Sequence, residues 1–116
     1  MYMVMMVLDD EKHLISLLDA WVAAGVSGAT VFESMGAHRI RACRARLHAR
    51  FDFAHLADEC EEEGHLTLFA IVPDEAAVQA CLAGAERVVG DLDKPDTGVL
   101  AAWPLSVVKG VPGVST

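Results

Sequence analysis

The sequence predicts one α+β domain, a ferredoxin-like βαββαβ sandwich whose antiparallel sheet carries two helices on one face, with a long loop between strands 2 and 3. Three observations predict it. The chain has 116 residues, the size of one domain with one hydrophobic core. Its 53 % hydrophobic and 22 % charged residues describe a packed globule rather than a disordered chain. Its apolar segments run strand, helix, strand, interruption, strand, helix, strand, which is two βαβ halves.

Tyr2 to Leu8 is apolar throughout and rich in Val and Met, as expected of a central strand buried on both faces. Asp9 or Asp10 caps the helix that follows, and Glu11 sits in its first turn, where the helix dipole favours a carboxylate. Leu14, Leu17, Leu18, Trp21 and Val22 recur at helical spacing and form one apolar stripe. Gly25 stops the helix. Ala29 to Met35, with β-prone Val31 and Phe32, is the second strand. The periodicity is then lost from Gly36 to Gly64.

His65 to Val72 is the third strand, bounded by Pro73. Asp74 and Glu75 open the second helix, with Ala77, Val78, Cys81, Leu82, Ala85 and Val88/Val89 as its stripe. Gly90 to Gly98 is rich in turn formers. Val99 to Trp103 is the fourth strand, and Pro104 ends it or places it at an edge. Leu105 to Val108 reads as a short resumed strand before a Gly/Pro tail. The strands carry Met, Val, Leu, Phe and Ile at both parities. The sheet face without helices is therefore expected to be buried against another copy of the chain.

No apolar run reaches the roughly 20 residues needed to span a bilayer, and the N-terminal segment lacks the basic leader of a signal peptide. Cys43, Cys60 and Cys81 have no CxxC spacing and read as reduced cytosolic thiols. The formal net charge of −8 argues against nucleic acid, because phosphate contacts need a positive surface. Charge is nevertheless uneven. Arg39, Arg41, Arg44, Arg46 and Arg50 fall in one short segment, and Asp58, Glu59, Glu61, Glu62 and Glu63 follow.

Several stretches together resemble the PII signalling proteins. Ala24-Gly25-Val26-Ser27-Gly28-Ala29-Thr30-Val31 is similar to that family's helix-to-strand junction, which reads Gly-hydrophobic-x-Gly-x-Thr-Val. Ile71-Val72-Pro73-Asp74-Glu75 is similar to its Val-Val-Pro-Asp-Glu. Gly90-Asp91, then Gly98 and a strand ending in Pro104-Leu105, resemble its phosphate-binding loop and final strand. The resemblance covers nearly the whole chain, residues 1–116, in the right order.

The resemblance implies a cytoplasmic homotrimer that acts as a sensor, not an enzyme. Adenine nucleotide (AMP, ADP or ATP) is its effector, bound in clefts between subunits. A mobile loop, here 37–63, reports the ligand to a protein target such as a transporter or enzyme. Carried over by motif, Gly28, Ala29 and Thr30 lie beside the adenine, and Gly36, His38 and Arg39 lie at the loop entry. Gly90, Asp91, Lys94 and Gly98 lie in the phosphate loop. The sequence also departs from the pattern. The family's modified loop Tyr has no counterpart, since the single Tyr is Tyr2. His38-Arg39 stand where a Gln helps hold magnesium and 2-oxoglutarate. Asp91, Asp93 and Asp96 make the phosphate loop acidic, and Lys109 alone remains of a C-terminal basic pair.

Each site has a plainer reading. Gly90 to Gly98 is either an anion-binding nest of backbone N–H groups aided by Lys94 or a solvated turn. The Arg cluster either binds oxyanions and acidic partners or pairs with the acids that follow it. Leu47, Phe51, Phe53 and Leu56 add an apolar side that fits docking on the trimer or a partner. His38, His48, His55, His65, Cys43 and Cys60 are a loose set of zinc-type ligands. CutA-type trimers share the fold and are linked to divalent metals, which makes a metal-binding trimer the alternative. A ligand-free adaptor trimer is the third reading. A Cys43–His48 nucleophile pair has no third residue to orient it.

Overall fold

A computed structural model describes residues 1–34 and 65–111. Four strands and two helices follow one another as β1 (Tyr2–Leu8), α1 (Leu14–Ala23), β2 (Thr30–Ser34), β3 (His65–Val72), α2 (Glu75–Val89) and β4 (Gly98–Pro104). The sheet order is β2-β3-β1-β4 and every pair is antiparallel. This is the predicted α+β ferredoxin-like arrangement, in which each helix crosses from one strand to another two places away.

Local chemistry sets the element ends. The Asp10 carboxylate accepts the Lys12 N–H at 3.0 Å and starts a single 3₁₀ turn, Glu11–His13, that leads into α1. That hydrogen bond, aided by the Lys12 charge, holds the Asp10 carboxyl below its usual range. Asp74 caps α2 by accepting the Ala77 N–H at 2.8 Å, satisfying one of the donors a helix start leaves unpaired. At the far ends, Gly25 and Gly90 take φ of +96° and +92°.

The register sorts the side chains. Val4, Met6 and Leu8 stand opposite Ala70, Leu68 and Leu66 of β3 and opposite Ala102, Leu100 and Gly98 of β4. Residues paired across a ladder share a face, and this face meets the helices. Val4, Met6, Leu8, Leu68, Val72, Leu17, Trp21 and Cys81 are its fully buried centre. The two helices touch closely, because a Cβ on Gly84 would lie 3.4 Å from the Ala20 Cβ. The Trp21 indole Nε1 bridges them by donating to the Cys81 carbonyl at 3.2 Å.

Three expectations need correction. β1 is central, but within one chain only one of its faces is buried: Val4, Met6 and Leu8 alternate with half-buried Met3, Met5 and Val7. Val22 does not belong to the α1 core stripe; it is 69 % exposed, because Trp21 takes the inward position beside it. Leu105 to Val108 does not resume as a strand. Leu105 donates one hydrogen bond to the Met1 carbonyl, at the end of β1, and no partner strand continues beyond that. β4 itself is longer than expected and includes both Gly98 and Pro104. Pro104 is tolerated because β4 is an edge strand.

Among the described residues, no helix lies on the second sheet face. The register gives it Met3, Met5, Val7, Phe32, Phe69, Ile71, Val99, Ala101 and Trp103, with Thr30, Ser34, His65 and Thr67 at its β2–β3 side. Phe32 and Phe69 stack with ring centroids 5.3 Å apart. Phe32, Val99 and Trp103 are among the exposed large apolar side chains. The face is thus mostly apolar over β1, β4 and the middle of β3.

Candidate functional site

The candidate residues within the described part fall into two groups. Gly28 and Ala29 precede β2 and Thr30 begins it, all three exposed. Gly90, Asp91 and Lys94 lie in the turn after α2, and Gly98 begins β4. Gly36, His38 and Arg39 lie outside the described residues, as do the Arg cluster, Cys43, Cys60 and the loop 37–63.

The sheet holds the two groups apart. Gly98 pairs with Leu8, Leu8 with Leu66, and Leu66 with Glu33. Gly98 and Glu33 are thus in one row, on opposite edges of the sheet. Three ladder spacings and the three further residues to Thr30 put the groups about 17 Å apart at ordinary strand dimensions. One chain does not bring them onto a single small ligand.

The glycines differ in what they do for the chain. At Gly98 a Cβ would meet the Val7 carbonyl oxygen at 2.5 Å, and φ is +136°. The strand itself needs that residue. At Gly28 an added Cβ would meet nothing within 4 Å, and φ is ordinary. No described part of the chain requires glycine there.

The turn after α2 is tied together by its own acids. Glu86 Oε2 accepts the Leu92 N–H at 3.0 Å, and Asp91 Oδ1 accepts the Asp93 N–H at 2.9 Å. The Lys94 N–H bonds the Asp91 carbonyl at 3.1 Å. Thr97 Oγ1 closes the turn by donating to the Lys94 carbonyl at 2.9 Å. Asp96 adopts a φ of +63°, which Asp tolerates better than most residues. Glu86 was not singled out from the sequence. Its signal is faint: an acid one helical turn before the glycine that ends α2.

The root of β2 and β3 carries a second polar group. Ser34 Oγ and Thr67 Oγ1 are 2.6 Å apart, which satisfies the buried Thr67 hydroxyl. His65 Nδ1 lies 3.6 Å from Asp9 Oδ1 at the end of β1. Among the described residues, no three His, Cys, Asp or Glu side chains converge as metal ligands. Burial pushes the Cys81 thiol up to about 11. Reactive cysteines need the thiolate, so Cys81 is core. No described helix is long and apolar enough to cross a membrane.

No family model matches the chain, and no curated protein matches it. Solved structures do. Bacillus subtilis GlnK, a PII protein, superposes with a TM-score of 0.58 at 14 % identity, over 90 % of this chain and 84 % of that one. The GlnK–ATP complex from the same organism gives a TM-score of 0.58 at 15 % identity, over 90 % and 81 %.

Proposed function

Starting from a chain with a divergent PII-like fold, we propose that it is a signal-transduction module of PII type. On this reading it is a cytoplasmic homotrimer that binds an adenine nucleotide between subunits. It regulates a protein partner, a transporter or an enzyme, through residues 37–63. A ligand shifts such a contact only if it favours one of two states, and Arg39 and His38 are groups able to supply that difference.

The observation that carries the reading is the split site. Its two groups lie on unlike edges of one sheet, β2 and β4. Joining one edge of a chain to the other edge of the next is a head-to-tail contact, which closes into a ring when the rotation between copies is right. The helix-free apolar face gives that ring its core. Gly28, which no described part of its own chain requires, becomes intelligible if a ligand or a second copy approaches it.

The test has two parts. Light scattering is expected to give three copies per particle. Met5→Glu with Phe69→Glu is expected to give single copies with unchanged helix content by circular dichroism. Each large side chain on such a face is worth about 1.5–3 kcal/mol when buried, and a buried unpaired carboxylate costs more than that. Calorimetric titration of the trimer with AMP, ADP and ATP is expected to show saturation near one ligand per subunit. A wild-type protein that is a monodisperse monomer refutes the assembly. A trimer that gives no heat with any nucleotide removes the ligand and leaves an adaptor.

A further inference from the structure

The turn between α2 and β4 is acidic and has spent part of its backbone donors on itself. A backbone nest holds phosphate by turning free N–H groups towards it. In residues 90–95 four of the five donors are spent. The Gly90 N–H bonds the Glu86 carbonyl, Leu92 bonds the Glu86 carboxylate, Asp93 bonds the Asp91 carboxylate, and Lys94 bonds the Asp91 carbonyl. Pro95 has no N–H. The N–H groups of Asp91, and of Asp96 and Thr97 further along the turn, have no partner within it.

Charge acts in the same direction. Glu86, Asp91, Asp93 and Asp96 place four carboxylates on a segment whose cations are Arg87 and Lys94. The turn also leaves the C-terminal end of α2, the negative end of the helix dipole. Each phosphate added to a ligand here meets more like charge and finds fewer donors.

We infer, resting on the nucleotide site proposed above, that the ligand is adenosine or its monophosphate and that the acidic turn rejects the di- and triphosphates. The carboxylates of the turn set the ligand's phosphate number, while the adenine end is left to the β2 edge.

The experiment is calorimetric titration of the assembled protein with adenosine, AMP, ADP and ATP, each with and without magnesium. Adenosine and AMP are expected to bind at least about tenfold more tightly than ATP, which is the scale of one strong like-charge contact. In Glu86→Ala with Asp93→Ala, two carboxylates go and the Leu92 N–H is released. The gap between AMP and ATP is expected to narrow at least about threefold.

ATP binding as tightly as AMP, in either buffer, overturns the inference and leaves the nucleotide site standing. A gap that the double variant does not narrow also overturns it, because the turn is then not its cause. Heat from none of the four ligands overturns the nucleotide site itself and the inference with it.

Discussion

Trp21→Ala is expected to destabilise the chain by about 3–5 kcal/mol, the range for truncating a buried aromatic residue. Trp21 is 1 % exposed and is the largest of the fully buried side chains. It fills the space between α1, α2 and the sheet, and its Nε1 holds the Cys81 carbonyl. Removing it leaves a cavity between two helices that already touch at Ala20 and Gly84, so closing the gap would require moving whole elements. Domains of this size have about 5–15 kcal/mol in total, so the loss takes a large share. Urea unfolding followed by circular dichroism at fixed protein concentration measures it; the concentration matters because assembly contributes to apparent stability. Trp21→Phe keeps most of the volume and is expected to cost clearly less. A Trp21→Ala loss below about 1 kcal/mol would mean that the helices do not pack through this residue.

Gly98→Ala is expected to cost about 3 kcal/mol or more. The new Cβ would lie 2.5 Å from the Val7 carbonyl oxygen, a backbone atom of the central strand that cannot swing away. The φ of +136° adds strain that only glycine avoids. Gly28→Ala is the matched control, with open space and an ordinary φ. It is expected to change stability by less than about 0.5 kcal/mol while weakening nucleotide binding. Equal stability losses at the two positions would refute this division between a glycine kept for the strand and one kept for a ligand.

The strands that follow the simplest rules were legible in the sequence. β1 and β3 have the bounds their apolar runs indicate, and Asp74 caps α2 as its position before the helix suggests. What was not legible is non-local. The uniform apolarity of Tyr2 to Leu8 does not show that one of its faces is only half-buried among the described residues. Val22 looks like core by spacing, and only the orientation of α1 on the sheet places it outside. The end of β4 depends on where β1 ends, since Leu105 reaches Met1 and finds no strand beyond.

The site was legible as residues but not as geometry. Gly28, Ala29 and Thr30 and the 90–98 turn are recognisable by motif, yet their separation follows from sheet order, which no local pattern encodes. The sequence also left the 90–98 turn open between nest and solvated loop. The Glu86 and Asp91 carboxylates accept the Leu92 and Asp93 N–H groups, and Glu86 lies in the helix before the turn begins.

The junction of β2 and β3 bears on how such a domain changes over generations. Ser34 and His65 are ladder partners, and the Ser34 hydroxyl ties the junction further through Thr67. Everything between them, residues 35–64, enters and leaves the sheet at one pinned point. The entropy of closing a chain segment between fixed ends rises slowly with its length, by about 0.6 kcal/mol per doubling. That stretch is therefore free to be lengthened, shortened or exchanged for a foreign peptide while the sandwich folds as before. Sequence can change at this one seam without renegotiating the core.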